Sequence, residues 1–313
     1  VAAVGSLTGI VTGLSSGVAV IYYSNGVGCS ASYSVTVLPT PAAITGSANM
    51  CLGGSTTLFN SVSGGVWSSA DPAVAAIGSL TGIVTSVAPG YATIIYQILP
   101  GGCAASTTVN VLPLPTAFAV TGGGSYCASD TGVHIGLSNS ETGVNYTLLH
   151  GATAIGSLPG TGAALDYGLL TSPGTYTIKG TNTTTTCQNT MTGSATVIVI
   201  PNVTPSVLVS PNPNDTVCTG AAVLFSPTPT NGGPAPVYQW FVNGVLIGTY
   251  STYSYIPANG DIVKVLMTSN ATCVLPATAS DSLTMTVMPY GTPVVTTYSN
   301  PGDTVCLGSS VTV

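Results

Sequence analysis

Short runs in which Val, Ile, Thr and Tyr alternate with polar residues recur along the whole chain, as in Ala92-Thr-Ile-Ile-Tyr96. A period of two in β-branched and aromatic residues predicts half-buried strands, and residues that favour helices are scarce. Turns are supplied by 39 Gly and 22 Pro, which punctuate the stretches between the runs. An all-β chain follows. Hydrophobic residues make up 45% of it, which gives enough surface to bury and sets the Gly, Pro, Ser and Thr content apart from that of a disordered chain. At 313 residues it is long for one core, and domains of about 100 to 200 residues predict two to four units.

Repetition marks those units. The opening VAAVGSLTGIVT, Val1 to Thr12, returns as VAAIGSLTGIVT, Val74 to Thr85, and Val35-Thr-Val-Leu-Pro39 returns as Val109-Asn-Val-Leu-Pro113. The phrase apolar-x-Val-apolar-Pro ends at Pro39, Pro113, Pro201 and Pro289, at intervals of 74, 88 and 88 residues. Proline has no N–H for a sheet ladder, so each phrase predicts a last strand followed by a short stiff linker. The expected units are 1–40, the back part of one domain; 41–115, 116–203 and 204–290, three complete domains; and 291–313, the front of another.

Two cysteines lie between successive closing prolines: Cys51 and Cys103, Cys127 and Cys187, Cys218 and Cys273. The first of each pair follows the linker and the second precedes the last strand, which predicts a disulfide inside each sandwich, bridging its two sheets. A loop of 50 to 60 residues closed in this way contributes about 4 kcal/mol on the chain-entropy model. Cys29 aligns as a second member and Cys306, in Cys306-Leu-Gly-Ser-Ser, as a first member like Cys51-Leu-Gly-Gly-Ser; their partners are expected beyond this stretch or in adjacent copies. Paired disulfides imply an oxidising, extracellular setting.

Charge narrows the function. Only 3% of residues are charged, with two lysines, Lys179 and Lys264, and a net charge of −6. Salt bridges cannot hold such a fold, and without a basic cluster nothing neutralises a phosphate backbone or an anionic membrane surface. Nucleic acid is therefore excluded as a partner. Gly, Pro, Ser, Thr or Asn interrupts every apolar run before about 18 residues, so no membrane insertion by a helix is expected.

No constellation for catalysis emerges, and the chain is read as not an enzyme. Gly13-Leu-Ser-Ser-Gly17 fits a nucleophile elbow but aligns with Ser86-Val-Ala-Pro-Gly90, where the central serine is missing, so it reads as a turn. His134, on an alternating strand facing solvent, and His150, at a turn position, are too few for a metal cage. Eight scattered acids offer neither paired carboxylates nor a calcium loop. Structural calcium would have to draw on backbone carbonyls around Asp215 or Asp303, and no cofactor is expected. Trp67 and Trp240 are expected in sandwich cores, each against its domain's disulfide, with a sugar platform as the sharper alternative. Asn243-Gly244 is a type I′ hairpin signal. Asn-x-Ser/Thr triplets stand at Asn145, Asn182, Asn202, Asn214 and Asn270.

Between residues 41 and 115, Trp67-Ser-Ser-Ala-Asp-Pro-Ala-Val-Ala-Ala-Ile, Gly82-Ile-Val-Thr and Ala88-Pro-Gly-Tyr-Ala-Thr-Ile resemble, in order, the bacterial Ig-like group 2 (BIG2) domain. Residues 204–290, with Tyr238-Gln-Trp-Phe-Val-Asn-Gly244 and Tyr255-Ile-Pro-Ala-Asn-Gly-Asp261, resemble PKD-like or Ig-like repeats of giant bacterial surface adhesins, including those of gliding bacteria exported by the type IX pathway. Residues 116–203 resemble the same repeats more loosely. The resemblance implies tandem immunoglobulin-like β-sandwich domains arranged as a rod, displayed at a bacterial cell surface. It also gives Asp215-Thr-Val, Asp281-Ser-Leu and Asp303-Thr-Val the look of those bacteria's O-glycosylation motif, with Thr216, Ser282 and Thr304 as acceptors. The function expected is a structural segment of an extracellular filament or adhesin stalk, whose partners are copies of itself or the continuing polypeptide. The alternatives are modules that bind surface glycans or a receptor, and an accessory region of a large secreted hydrolase.

Overall fold

The computed structural model describes residues 1–100, 102–291 and Leu307. The expectations for Asp303, Thr304, Cys306 and the rest of 292–306 and 308–313 lie outside the described residues. All regular structure among the described residues is β-strand, as the alternation predicts. The chain forms two compact bodies, Val1–Gly124 with Gly132–Ile198, and Ser125–Thr131 with the described residues from Val199 onward.

In the second repeat, Gly90–Ile98 and Cys103–Leu112 pair antiparallel from Gly90 opposite Val111 to Ile98 opposite Cys103. Ala92, Ile94, Tyr96 and Ile98 are buried because the pleat sends alternate side chains to one face. Gly65–Ser69 extends this sheet on one side, and Asn49–Cys51 runs parallel to the last strand on the other. A second sheet of Ser55–Thr57, Ile83–Ser86 and Ala75–Ile77 brings Ala75 and Val84 into the same core, beside Trp67. The first repeat keeps the back of this plan in the strands Ala2–Val4, Val11–Gly13, Gly17–Ser24 and Ser30–Val37. Its loops repeat the second repeat's bonds: the Gly5 N–H donates to the Ile10 carbonyl as Gly78 does to Ile83, and Leu14 donates to Val1 as Val87 does to Val74.

The third repeat sets Val120–Gly122, Val133–Leu137 and Leu165–Leu170 against a larger sheet built on Val144–His150 and Gly174–Asn182. It has no tryptophan; Tyr146 and Tyr176 are buried instead. The Tyr146 hydroxyl accepts the Glu141 N–H at 2.9 Å, which gives its polar end a partner.

In the fourth repeat, Ser206–Asn212, Val223–Thr230 and Tyr253–Tyr255 form one sheet, and Val245–Gly248, Val237–Val242, Ile262–Thr268 and Thr278–Thr284 the other. Trp240 lies at the centre of the core, 0% exposed, and its indole N–H donates to the Tyr250 carbonyl at 3.0 Å. Asn243 and Gly244 both take positive φ, 50° and 82°, as a type I′ turn requires, and join Val237–Val242 to Val245–Gly248. Mainly antiparallel sheets closing on one apolar core make the second, third and fourth repeats immunoglobulin-like β-sandwiches.

Candidate functional site

The first cysteine of each repeat occupies one recurrent station. Cys51 ends Asn49–Cys51, Cys127 ends Gly124–Cys127 and Cys218 ends Thr216–Cys218. The residue after each one, Leu52, Ala128 or Thr219, donates its N–H at 2.9 Å to the residue before the closing proline, Leu112, Ile200 or Met288. The carbonyls of Cys51, Cys127 and Cys218 then accept from Gly54, Asp130 and Ala221, three residues on, in the same tight turn. This front station therefore lies beside the exit of the last strand.

In the second repeat the second cysteine lies at the other end of that strand, by the hairpin that enters it. Cys103 opens Cys103–Leu112 opposite Ile98, whereas Cys51 is opposite Leu112. Nine residues of strand at about 3.3 Å each separate these stations by about 30 Å, and a disulfide needs Cα atoms within about 7 Å. The pairing expected inside each domain, Cys51 with Cys103, Cys127 with Cys187 and Cys218 with Cys273, is thus corrected. Cys51 bonds Cys187, with Cα atoms 5.6 Å apart, and Cys127 bonds Cys273, at 5.3 Å. Each staple joins the front station of one repeat to the hairpin station of the next. Among the described residues Cys29, Cys103 and Cys218 are free. The missed signal was strand length: a run of ten residues ending at Leu112 cannot bring its two ends together.

The tryptophans likewise pack against rings and not against bridges. Trp67 lies 4.6 Å from Tyr96 between ring centroids, and Trp240 lies 6.4 Å from Phe225 and 6.1 Å from Tyr253. Neither ring is open to a sugar.

The polar candidates are dispersed. His134 is exposed and its Nδ1 lies 2.8 Å from Asp166, whose carboxyl is held below its ordinary range first by the Gly168 N–H and then by His134. His150 ends its strand, before the turn at Gly151, and stacks on Tyr176 at 4.5 Å. Among the described residues no three of His, Cys, Asp and Glu converge on one point, and no helix is long and apolar enough to cross a membrane. Asp215 is exposed; its carboxylate accepts from the Thr216 hydroxyl at 3.3 Å and its carbonyl accepts the Thr286 N–H. Thr216 and Ser282 are both exposed on strands. Asn145, Asn202, Asn214 and Asn270 are exposed, and Asn182 is half-buried with its side-chain oxygen accepting from the N–H groups of Thr184 and Thr185. Lys179 and Lys264 stand on strands, opposite Thr190 and Ser282 respectively.

Asp261 organises the end of the fourth sandwich. Its carboxylate accepts from the Asn243 amide at 2.9 Å, the Tyr255 hydroxyl at 3.1 Å and the Ala258 N–H at 2.8 Å. The Ala258 N–H, then Asn243, hold its pKa below the usual carboxylate range, while burial, then the carboxylate's charge, pushes the Tyr255 phenol up. These bonds clamp the turn. A groove of about 230 Å³ between Tyr238 and Tyr250 is smaller than the roughly 300 to 1,000 Å³ of ordinary ligand sites.

No family model and no curated protein matches the chain. Solved structures similar to it are immunoglobulin and fibronectin-III-like proteins. A three-Ig fragment of titin is 12% identical, covers 81% of this chain and 100% of its own, and has a TM-score of 0.33. The three-Ig ectodomain of mouse nectin-like molecule 4 is 12% identical over 79% of this chain and 99% of its own, at 0.34. Fibronectin(III)-like modules of Clostridium thermocellum CbhA are 17% identical over 55% and 95%, at 0.24. At these scores the likeness carries no argument about function, and the sandwich assignment stands on the strand pairing itself. The disulfides mark a chain that matures outside the reducing cytosol.

Proposed function

We propose that this chain is a non-enzymatic structural segment of an extracellular bacterial filament or surface-adhesin stalk, whose repeats are fastened covalently each to the next. The observation that carries this reading is the pairing of Cys51 with Cys187 and of Cys127 with Cys273, which spans 136 and 146 residues and overlaps along the chain. A disulfide inside a sandwich protects only that sandwich. A staple between successive repeats also carries tension past the linker, which is what a load-bearing stalk requires. The BIG2-like motifs around Trp67 and the PKD-like motifs around Trp240 support a bacterial surface as the setting. On the same reading Thr216 and Ser282 carry O-linked glycans that solubilise a surface with few charges; an intact mass equal to that of the bare polypeptide would count against the glycans.

Single-molecule stretching between the chain ends tests the mechanical reading. With both staples closed, the taut path omits about 160 residues, so a reductant should lengthen the fully extended chain by roughly 550 Å at about 3.4 Å per residue. An extended length that the reductant leaves unchanged would overturn the stapled-stalk function.

A further inference from the structure

The linkers dock where the bonded second cysteines lie. Past the closing Pro113, the Pro115 carbonyl accepts the Asn189 side-chain amide at 2.8 Å. The Thr192 N–H then donates to the Phe118 carbonyl at 2.8 Å, and the Val120 N–H donates to the Thr192 carbonyl at 2.9 Å. Asn189 and Thr192 stand two and five residues beyond Cys187. Past Pro201 the contact recurs: the Val203 N–H donates to the Cys273 carbonyl and its carbonyl accepts the Leu275 N–H, each at 2.9 Å. Both contacts are parallel bridges, Ala119 with Thr192 and Val203 with Val274. In each case the entry segment of a repeat lies along the loop that carries that repeat's own second cysteine.

The front cysteine of the second repeat arrives by the same route. Cys51 is opposite Leu112, whose carbonyl accepts the Leu52 N–H, so it sits where the last strand becomes linker. From Leu112 to Pro115 the chain spans at most about 11 Å. With Pro115 held on Asn189, Cys51 is therefore kept within a few residues' reach of Cys187, and none of these bonds needs the sulfur bridge. A second tie holds the same linker. Glu141, the one glutamate of the chain, accepts the Thr116 N–H at 3.1 Å and the Thr116 hydroxyl with its other oxygen. Bonds to an ionised carboxylate are stronger than neutral ones, so this rare charge is placed where the linker enters the third repeat.

We propose that this docking selects the disulfide partner: the entry segment of the third repeat settles on the Cys187 loop before oxidation, and Glu141 and Asn189 are positioning residues that hold the Cys51 and Cys187 thiols within bonding reach. The inference rests on the stapled-segment reading and deepens it by supplying the device that chooses the staple. Closure with a small disulfide such as oxidised glutathione takes two exchanges. The Cys51 thiolate attacks one glutathione sulfur, which forms a mixed disulfide and releases a glutathione thiolate. The Cys187 thiolate then attacks the Cys51 sulfur and releases the second. Two protein thiols are oxidised, one small disulfide is reduced, and the two thiol protons end on the released glutathiones. Only the second exchange is intramolecular, so only that one depends on the clamp.

The test uses the full 313-residue chain, reduced, equilibrated in a glutathione buffer, quenched with acid and mapped without reduction. The ratio of Cys51 bonded to Cys187 over Cys51 capped by glutathione measures closure. Glu141→Ala and Asn189→Asp should each lower that ratio several-fold, and together by about tenfold or more. Asp keeps the size of Asn and has no N–H for the Pro115 carbonyl. Glu141→Gln, which still accepts from Thr116, should restore most of the loss, and the Cys127–Cys273 ratio in the same samples should stay where it is. In C51A/C187A the amides of Thr116 and Val120 should remain protected from hydrogen exchange, because their bonds to Glu141 and Thr192 do not need the bridge. Closure ratios that the variants leave unchanged overturn the proposal. So does free exchange of Thr116 and Val120 in C51A/C187A while Gly174–Asn182 stays protected. A fall matched at Cys127–Cys273 and not reversed by Glu141→Gln means general unfolding and overturns it as well. If Cys51 and Cys187 fail to pair in the unaltered chain, the stapled-segment reading itself fails; if they pair and the variants change nothing, only selection by docking fails.

Discussion

The Tyr96 hydroxyl donates a 2.7 Å hydrogen bond to the carbonyl of Val62, 34 residues earlier in the chain. It also accepts the Gly65 N–H at 2.9 Å, so one phenol satisfies two backbone groups at the mouth of the second sandwich. Gly65 is required there, because a Cβ would stand 2.5 Å from the Tyr96 ring.

Replacing Tyr96 by Phe keeps the ring and strands both backbone partners, which should cost about 1 to 2 kcal/mol. Tyr23→Phe, at the matching but exposed position of the first repeat, should change stability by less than about 0.5 kcal/mol. Hydrogen exchange of the Gly90–Ile98 amides measures the first, and that of Gly17–Ser24 the second. Equal effects at the two sites would mean that the bond to Val62 contributes nothing.

Removing one staple by the double change C51A/C187A opens a loop of 136 residues and should lower stability by about 5 kcal/mol on the chain-entropy model. Cys103→Ser breaks no bond and should leave the urea midpoint where it is. The opposite ranking would restore the pairing within the domain.

Trp240→Ala removes the largest fully buried side chain and should cost about 3 to 5 kcal/mol through the cavity it leaves. Trp240→Phe should cost less, since the ring is kept and the Tyr250 carbonyl loses only its indole donor. Urea unfolding of the fourth repeat, followed by exchange at Ile262–Thr268, separates the two.

Asp261 makes the fourth repeat sensitive to acid. Its folded pKa lies below the unfolded value of about 3.9, so its contribution is complete above that value and is lost as pH falls through the lower folded one. Asp261→Asn should therefore weaken the repeat at pH 7 and flatten the loss of stability as pH falls below about 4. Urea midpoints for both proteins across that range check the sign; a midpoint difference that does not shrink on acidification would exclude the clamp.

Much of this molecule is legible in one dimension. Alternation over Ala92–Tyr96 predicts a strand with one buried face, and Asn243-Gly244 predicts its turn, because both depend on neighbours in sequence and on backbone geometry fixed by residue type. Trp67 and Trp240 are buried as expected, but against Tyr96, Phe225 and Tyr253 instead of the disulfides on which that expectation rested. The bonding of the cysteines does not follow from local logic, since counting two between each pair of prolines says how many thiols a repeat holds and nothing about which end of a strand each occupies.

The amino-acid order by itself determined an all-β chain of repeats, punctuated by proline and nearly without ions. Only the folded arrangement decided that Cys51 reaches Cys187 and Cys127 reaches Cys273. The reason is distance: a ten-residue strand holds Cys103 and Cys51 about 30 Å apart, and the partner within bonding reach is supplied by the following repeat.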